Sequence, residues 1–238
     1  MSETAFALDL NEVKNLSTLI ADKLTESVMN GALMPGEHLV QTNLASKFGV
    51  SRVAIRDALQ ELRKRGLAVN VPLKGTMVRP ISEENLRNLF EIRRLLEPAA
   101  AAKAVSAMKP SDKARLELLL EQQTEAGDAG EMEKVIDLDW EFHQVLYSSC
   151  GNQDLLQIVT YIWSQIRQAR GLAQSNPRWG EQWSQASLKR HRQILAAVRR
   201  KDQERTRKLV DDGIVASEEE ILNGLNEAGW LTLETQLS

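Results

Sequence analysis

Apolar positions between residues 39 and 62 recur every three or four residues, the spacing of helices that bury one face. Leu39, Leu44, Ala45 and Phe48 make one short stripe, and Ile55, Ala58, Leu59 and Leu62 make a second. Gly49 lies between them and suits a sharp turn, because glycine adopts positive φ freely. Ser51 beyond it offers the side-chain oxygen that an N-cap needs. The pattern predicts helix, turn, helix. Gly66 ends the second helix. Residues 67–71 and 76–79 then read as two short strands around Pro72-Leu73-Lys74-Gly75, a hairpin that forms a wing.

No strand pattern appears after Val78. A long helix is expected from Ser82, with Pro80 before it and Glu83 and Glu84 in the first turn, where the macrodipole favours acid. Further helices are expected over 111–126, 131–149, 154–172, 182–200 and 203–223. Their breaks fall at Lys109-Pro110, 127–130, Gly151-Asn152, 175–177 and Lys201-Asp202. Residues 228–238 show no readable pattern. The expected fold is mainly α: an N-terminal winged helix-turn-helix over residues 1–80, then an all-helical antiparallel bundle over 81–238.

Charge divides the chain at the same place. The whole protein has a net charge of −3, yet residues 47–79 hold eight basic residues against two acids. Residues 81–238 hold twenty basic and twenty-five acidic residues. A basic patch on an acidic protein is the electrostatic footprint of nucleic-acid binding. Arg52, Arg56 and Arg63 lie along the edge of the second stripe, and an arginine fork bonds guanine O6 and N7 together. In a helix-turn-helix, side chains at the start of the second helix meet base edges in the major groove. Taken alone, the stripe equally describes an amphipathic helix with a solvated basic edge; the wing and the charge favour DNA. No apolar run is long enough to span a bilayer, and Met1-Ser2-Glu3-Thr4-Ala5-Phe6 lacks the regions of a signal peptide. Cys150 stands alone, consistent with a reducing compartment, so a cytoplasmic protein is expected.

Residues 31–36 (Gly-Ala-Leu-Met-Pro-Gly), Leu39, Leu44-Ala45, Gly49-Val50-Ser51-Arg52, Arg56-Asp57-Ala58-Leu59, Leu62, Gly66-Leu67 and Lys74-Gly75 resemble the winged helix of the GntR family, over roughly residues 16–80. The resemblance implies that Arg52 and Arg56 touch DNA and that Gly75 marks the wing tip in the minor groove. Some relatives place an arginine where this chain has Thr42; a hydroxyl cannot make a bidentate guanine contact, so the resemblance implies DNA binding but not their operator sequence. The candidate DNA contacts are Thr42, Lys47, Ser51, Arg52, Arg56, Lys74 and Gly75.

Ionisable residues sit inside apolar stripes of the helical part. Asp139 and His143, four apart on one face, lie among Met132, Val135, Ile136, Phe142, Leu146 and Cys150. His191 lies among Leu188, Ile194, Leu195 and Val198. Arg93 lies among Leu86, Leu89, Leu96, Ala100 and Ala104, with Glu97 one turn on; Arg94 points to solvent. Burying such groups is costly unless they are paired or bind something. A carboxylate and two imidazoles from two helices suit zinc, nickel or manganese. The bland alternative has Asp139 bonding His143 and His191 bonding a backbone carbonyl. For Arg93 it is a buried pair with Glu97, which still leaves donors for an anion.

Asp139-Trp140-Glu141-Phe142-His143, Gly151-Asn152 and His191 with Ile194-Leu195-Ala196-Ala197-Val198 resemble the FCD effector domain of the FadR-type branch, over most of residues 82–225. Many such domains hold a metal with an Asp and three His. Asp139, His143 and His191 match three of these; at the fourth place stands Gly213. Either three ligands and open positions hold the metal, or it is lost and the space beside Gly213 admits a larger ligand.

The expected function is a dimeric transcriptional repressor on a pseudo-palindromic DNA operator. A small carboxylate would control it, bound by Arg93, Asp139, His143, His191 and the space at Gly213. A hinge is expected at Pro80-Ile81-Ser82. The alternative is a metal-dependent hydrolase using Asp139, His143 and His191, though no His-Glu-x-x-His is present. An architectural DNA-binding protein without effector would have an uninterrupted apolar bundle core, which Arg93, Asp139 and His191 contradict.

Overall fold

The computed structural model describes residues 10–29, 31–173 and 177–231. The leader reading at residues 1–6, most of the break at 175–177 and most of the segment 228–238 lie outside the described residues. Contacts divide the chain into two compact units, parted between Pro80 and Ile81.

The first unit contains α1 (Leu10–Met29), α2 (Gln41–Phe48), α3 (Arg52–Lys64), β1 (Ala68–Val71) and β2 (Gly75–Val78). Its core gathers Ile20, Leu24 and Val28 of α1 with Ile55, Ala58, Leu59 and Leu62 of α3 and Val78 of β2. Full burial of each large aliphatic side chain contributes about 1.5–3 kcal/mol. The stripe that predicts α3 thus packs largely on α1, a helix absent from the sequence expectation. Gly49 closes α2 at φ 66, and the Ser51 hydroxyl caps α3 by accepting from the Ala54 amide at 3.2 Å. The strands pair antiparallel from Ala68↔Val78 to Val71↔Gly75. The segment before α2 adds to the free edge of β2: Leu39 N–H donates to Thr76 O (2.8 Å) and Val78 N–H to Glu37 O (2.9 Å). Edge pairing ties the wing to the helices.

The second unit contains, among the described residues, α4 (Glu83–Ala107), α5 (Pro110–Asp128), α6 (Met132–Ser148), α7 (Gln153–Ala173), α8 (Pro177–Arg199) and α9 (Gln203–Glu227). α4 packs along α9, α5 along α6 and α8, and α7 against α4, α6 and α9. Ser82 and Asp202 cap α4 and α9 with their side-chain oxygens. α8 begins five residues before its expected start, because a proline at the first helical position gives up an N–H that has no helical partner there.

Candidate functional site

In the first unit, Thr42, Lys47, Ser51, Arg52, Arg56, Lys74 and Gly75 are all exposed. Thr42 lies in the first turn of α2 and Lys47 in its last; Arg52 and Arg56 fill the first turns of α3. Arg56, its side chain 64 % exposed, touches only its neighbour Asp57, at 3.3 Å. Exposed pairs of this kind contribute little, so Arg56 reorients at small cost. Gly75 does not top the wing as the resemblance implies. It is the first residue of β2, at φ 82, where the chain turns back into the ladder; the tip is Pro72-Leu73-Lys74. The positive surplus is also narrower than the count. Arg65 is drawn back to Asp22 (2.7 Å) and Thr25 (3.0 Å) of α1. Arg79 Nε donates to Gly66 O at 2.6 Å. Both hold the unit together. Val53, off the apolar stripe and 56 % exposed between Arg52 and Arg56, offers a methyl surface of the kind that meets a thymine methyl. Its position off the stripe was the available signal.

In the second unit, Asp139 and His143 of α6 meet His191 of α8, their ligand atoms lying within 4.8 Å of one another. The two Nε2 atoms are 3.1 Å apart, and His191 Nε2 is 3.4 Å from Asp139 Oδ1. The bland alternative holds for Arg93, whereas the one for Asp139 and the two histidines does not form. Asp139 instead takes Arg170 Nη1 on Oδ2 (2.6 Å) and the Ser187 hydroxyl on Oδ1 (2.7 Å). His191 Nδ1 meets Gln123 Oε1 at 2.9 Å. Arg93 pairs with Glu97 through Nε (2.7 Å) and Nη2 (3.1 Å). Glu97 also accepts from Tyr147 (2.7 Å) and Trp163 (2.9 Å). Arg170, Gln123, Ser187 and Glu97's further partners were not among the expected site residues. Arg170 stands beside Trp163, Ile166 and Ala169 on the buried face of α7, so the test that singles out Arg93 would have found it.

Burial raises the Asp139 carboxyl, but Arg170, His191 and His143 more than offset this and hold it below the usual carboxylate range. Burial pushes His191 down to about 4 and, helped by His191 itself, His143 well below its usual value. Both imidazoles are therefore neutral at pH 7, as metal ligands must be. Proton placement points the same way. Tyr147 donates to Glu97, so it accepts from His143 Nδ1; with Gln123 Oε1 facing His191 Nδ1, that nitrogen also carries its proton. Both Nε2 lone pairs then face one another and Asp139 Oδ1, an arrangement that a cation between them satisfies. The residues thus fit a divalent metal with three protein ligands and open positions.

The cavity beside them measures about 30 Å³ and is lined by Arg93, Asp139, His143, Arg170, His191 and Gly213, among others. Two donors of its lining residues, Arg93 Nη1 and Arg170 Nε, are buried without a hydrogen-bond partner; Gln168 Nε2, outside the cavity, is the third such atom among the described residues. Gly213 supplies no ligand, and packing does not demand it. A Cβ there would meet only Arg190 Cδ, at an ordinary 3.6 Å, whereas one at Gly224 would meet Ala173 Cβ at 2.9 Å. Gly213→Ala should therefore raise stability by about 1 kcal/mol, read by urea unfolding; a loss of stability would show that Gly213 is sterically required.

Residues 16–78 match the model for bacterial regulatory proteins of the gntR family, and residues 88–214 match the FCD domain. The HTH-type transcriptional regulator McbR of Escherichia coli K12 is 28 % identical over 190 residues, covering 80 % of this chain and 85 % of McbR. Its solved structure superposes with a TM-score of 0.74 over 87 % of this chain and 97 % of that one, at 25 % identity. The transcriptional repressor RspR of the same organism is 31 % identical over 137 residues, 58 % of this chain and 60 % of RspR. A structure titled a putative GntR transcriptional regulator from Rhodococcus sp. RHA1 shares the fold (TM-score 0.73, 22 % identity, 87 % and 97 % covered). These relatives are regulators, which removes the support for a hydrolase at Asp139, His143 and His191. The chain belongs to the GntR family and carries an FCD domain: it is a DNA-binding transcriptional regulator, not an enzyme.

Proposed function

We propose that the protein is a repressor whose hold on DNA is controlled by a small carboxylate bound in the second unit. A DNA target agrees with the cytoplasmic location expected from the sequence. The observation that carries this reading is the cluster of buried Arg93, Arg170, Asp139 and His191 with half-buried His143, in which two guanidinium N–H groups are unpartnered. A core gains nothing from such groups unless they bind something. Asp139, His143 and His191 would hold zinc, nickel or manganese, which would supply positive charge for the carboxylate. Arg93 Nη1 and Arg170 Nε would donate to its oxygens.

The cavity volume bears on control. About 30 Å³ accommodates an ion with one or two waters, not a carboxylate of several carbons. The ligand must then favour a more open arrangement of the helices, and regulation needs such a difference in affinity between states. Two copies would read a pseudo-palindromic operator. Ile92 and Leu95 on α4, and Ile158 and Tyr161 on α7, are large apolar side chains left 40–70 % exposed, as a dimer contact requires. Repression is also the role of the relative RspR.

Thermal unfolding tests the cavity. Adding zinc, nickel or manganese with a panel of small carboxylates should raise the Tm of wild type, since a ligand at one hundred times its Kd adds about 2.7 kcal/mol. EDTA should reverse the metal's part, and His191→Ala should remove it. A Tm that no metal or carboxylate raises, or a rise that His191→Ala retains in full, would show that the cluster binds neither.

A further inference from the structure

Leu73 sits at the wing tip in a conformation that leucine disfavours. Lys74 N–H donates to Val71 O at 3.1 Å, which closes a four-residue turn with Pro72 second and Leu73 third. Leu73 takes φ 63 and is one of two non-glycine residues with positive φ among the described residues. Proline second and positive φ third describe a type II turn, whose third position is made for glycine or asparagine. Leucine is strained there. Its side chain is also fully exposed, at 109 % of the reference area. Both features are unfavourable in the free protein, and no contact within the unit offsets either. Outliers of this kind persist where a bound state repays them.

The neighbours indicate what that state is. Lys74 is exposed beside Leu73. Residues 68–79 contain no acid, and with Arg79 turned back onto Gly66 O, Lys74 is the cation at the tip. Pro72 fixes its own φ, so the tip is held ready rather than ordered on binding. A rigid cationic turn that presents one bare aliphatic side chain suits the minor groove, where proteins insert leucine and similar wedges beside basic residues. We propose that Leu73 is an apolar wedge that enters the minor groove of the operator flank, while Lys74 meets the adjoining phosphate. This rests on the DNA-binding role of the first unit. The wedge adds sequence preference through groove width and deformability instead of base hydrogen bonds.

The test uses full-length protein and an operator selected by it from a random duplex pool. Leu73→Asn keeps a residue that tolerates the turn and removes the apolar surface. It should bind about tenfold or more weakly with an unchanged salt dependence, because no phosphate contact is lost. Lys74→Ala should instead lower the salt slope by about one. A duplex with 2,6-diaminopurine replacing adenine in the flanks puts an amino group in the minor groove alone. It should weaken wild type and leave Leu73→Asn unaffected. Leu73→Gly, which relieves the turn, should lose affinity as Leu73→Asn does while melting no lower than wild type. Binding by Leu73→Asn within twofold of wild type, or equal sensitivity of both to diaminopurine, would overturn the wedge. Failure of wild type to select any sequence would instead overturn the specific DNA reading on which it rests. Self-association of wild type that Leu73→Asn abolishes, with DNA affinity intact, would reassign Leu73 to a protein contact and overturn the wedge.

Discussion

Glu97→Ala should cost the second unit about 3–5 kcal/mol, the loss expected when one partner of a buried ion pair is removed. Glu97 is fully buried and accepts from Arg93 Nε and Nη2, from Tyr147 and from Trp163. Alanine would leave the Arg93 guanidinium, itself only 2 % exposed, without a counter-charge and two further donors without an acceptor. Its position 4.3 Å from the Trp163 ring centroid is too weak a contact to compensate. Arg94→Ala is the control. Arg94 pairs with Asp211 at 2.9 Å on the surface, and its loss should cost about 0–1 kcal/mol. All five tryptophans lie beyond residue 81, so tryptophan fluorescence during urea unfolding reports this unit. A loss below 1 kcal/mol for Glu97→Ala would mean that the Arg93 pair is not structural.

Replacing both Arg52 and Arg56 with alanine should reduce binding to the sequence-independent level. Each lost bidentate guanine contact costs about 1–3 kcal/mol, and phosphate contacts elsewhere would hold only non-specific affinity. Both side chains are exposed at the start of α3, so the variant should fold as wild type does. Arg65→Ala should behave oppositely, losing stability through Asp22 and Thr25 while keeping discrimination. Fluorescence anisotropy on the selected operator and a scrambled duplex separates the two. A double variant that still discriminates would remove Arg52 and Arg56 from base reading.

Much of this was legible in the chain because local period and capping chemistry are local facts. Ile55, Ala58, Leu59 and Leu62 face inward as their spacing requires, and Ser51 and Gly49 bound the turn. α1 was not, because its Ile20, Leu24 and Val28 acquire meaning only against α3. Charge counting overstated the DNA surface, since sequence does not reveal that Arg65 and Arg79 turn back onto their own unit. In the cavity, polar residues on apolar stripes identified Asp139, His143, His191 and Arg93. Arg170 was legible in the same way, on the buried face of α7, but Ser187 and Gln123, the other partners of Asp139 and His191, depend on packing that spacing does not encode. Gly75 was placed at the wing tip because the turn type, set by Pro72 and Leu73, decides which residue tops it.

Control of operator affinity by the helical cavity is the central claim. It is tested by the operator Kd of full-length wild type and His191→Ala, titrated with small carboxylates in the presence of zinc, nickel or manganese. At least one carboxylate should weaken wild-type binding tenfold or more, and His191→Ala should not respond to it. An operator affinity that no carboxylate changes, or a response that His191→Ala retains in full, would contradict it.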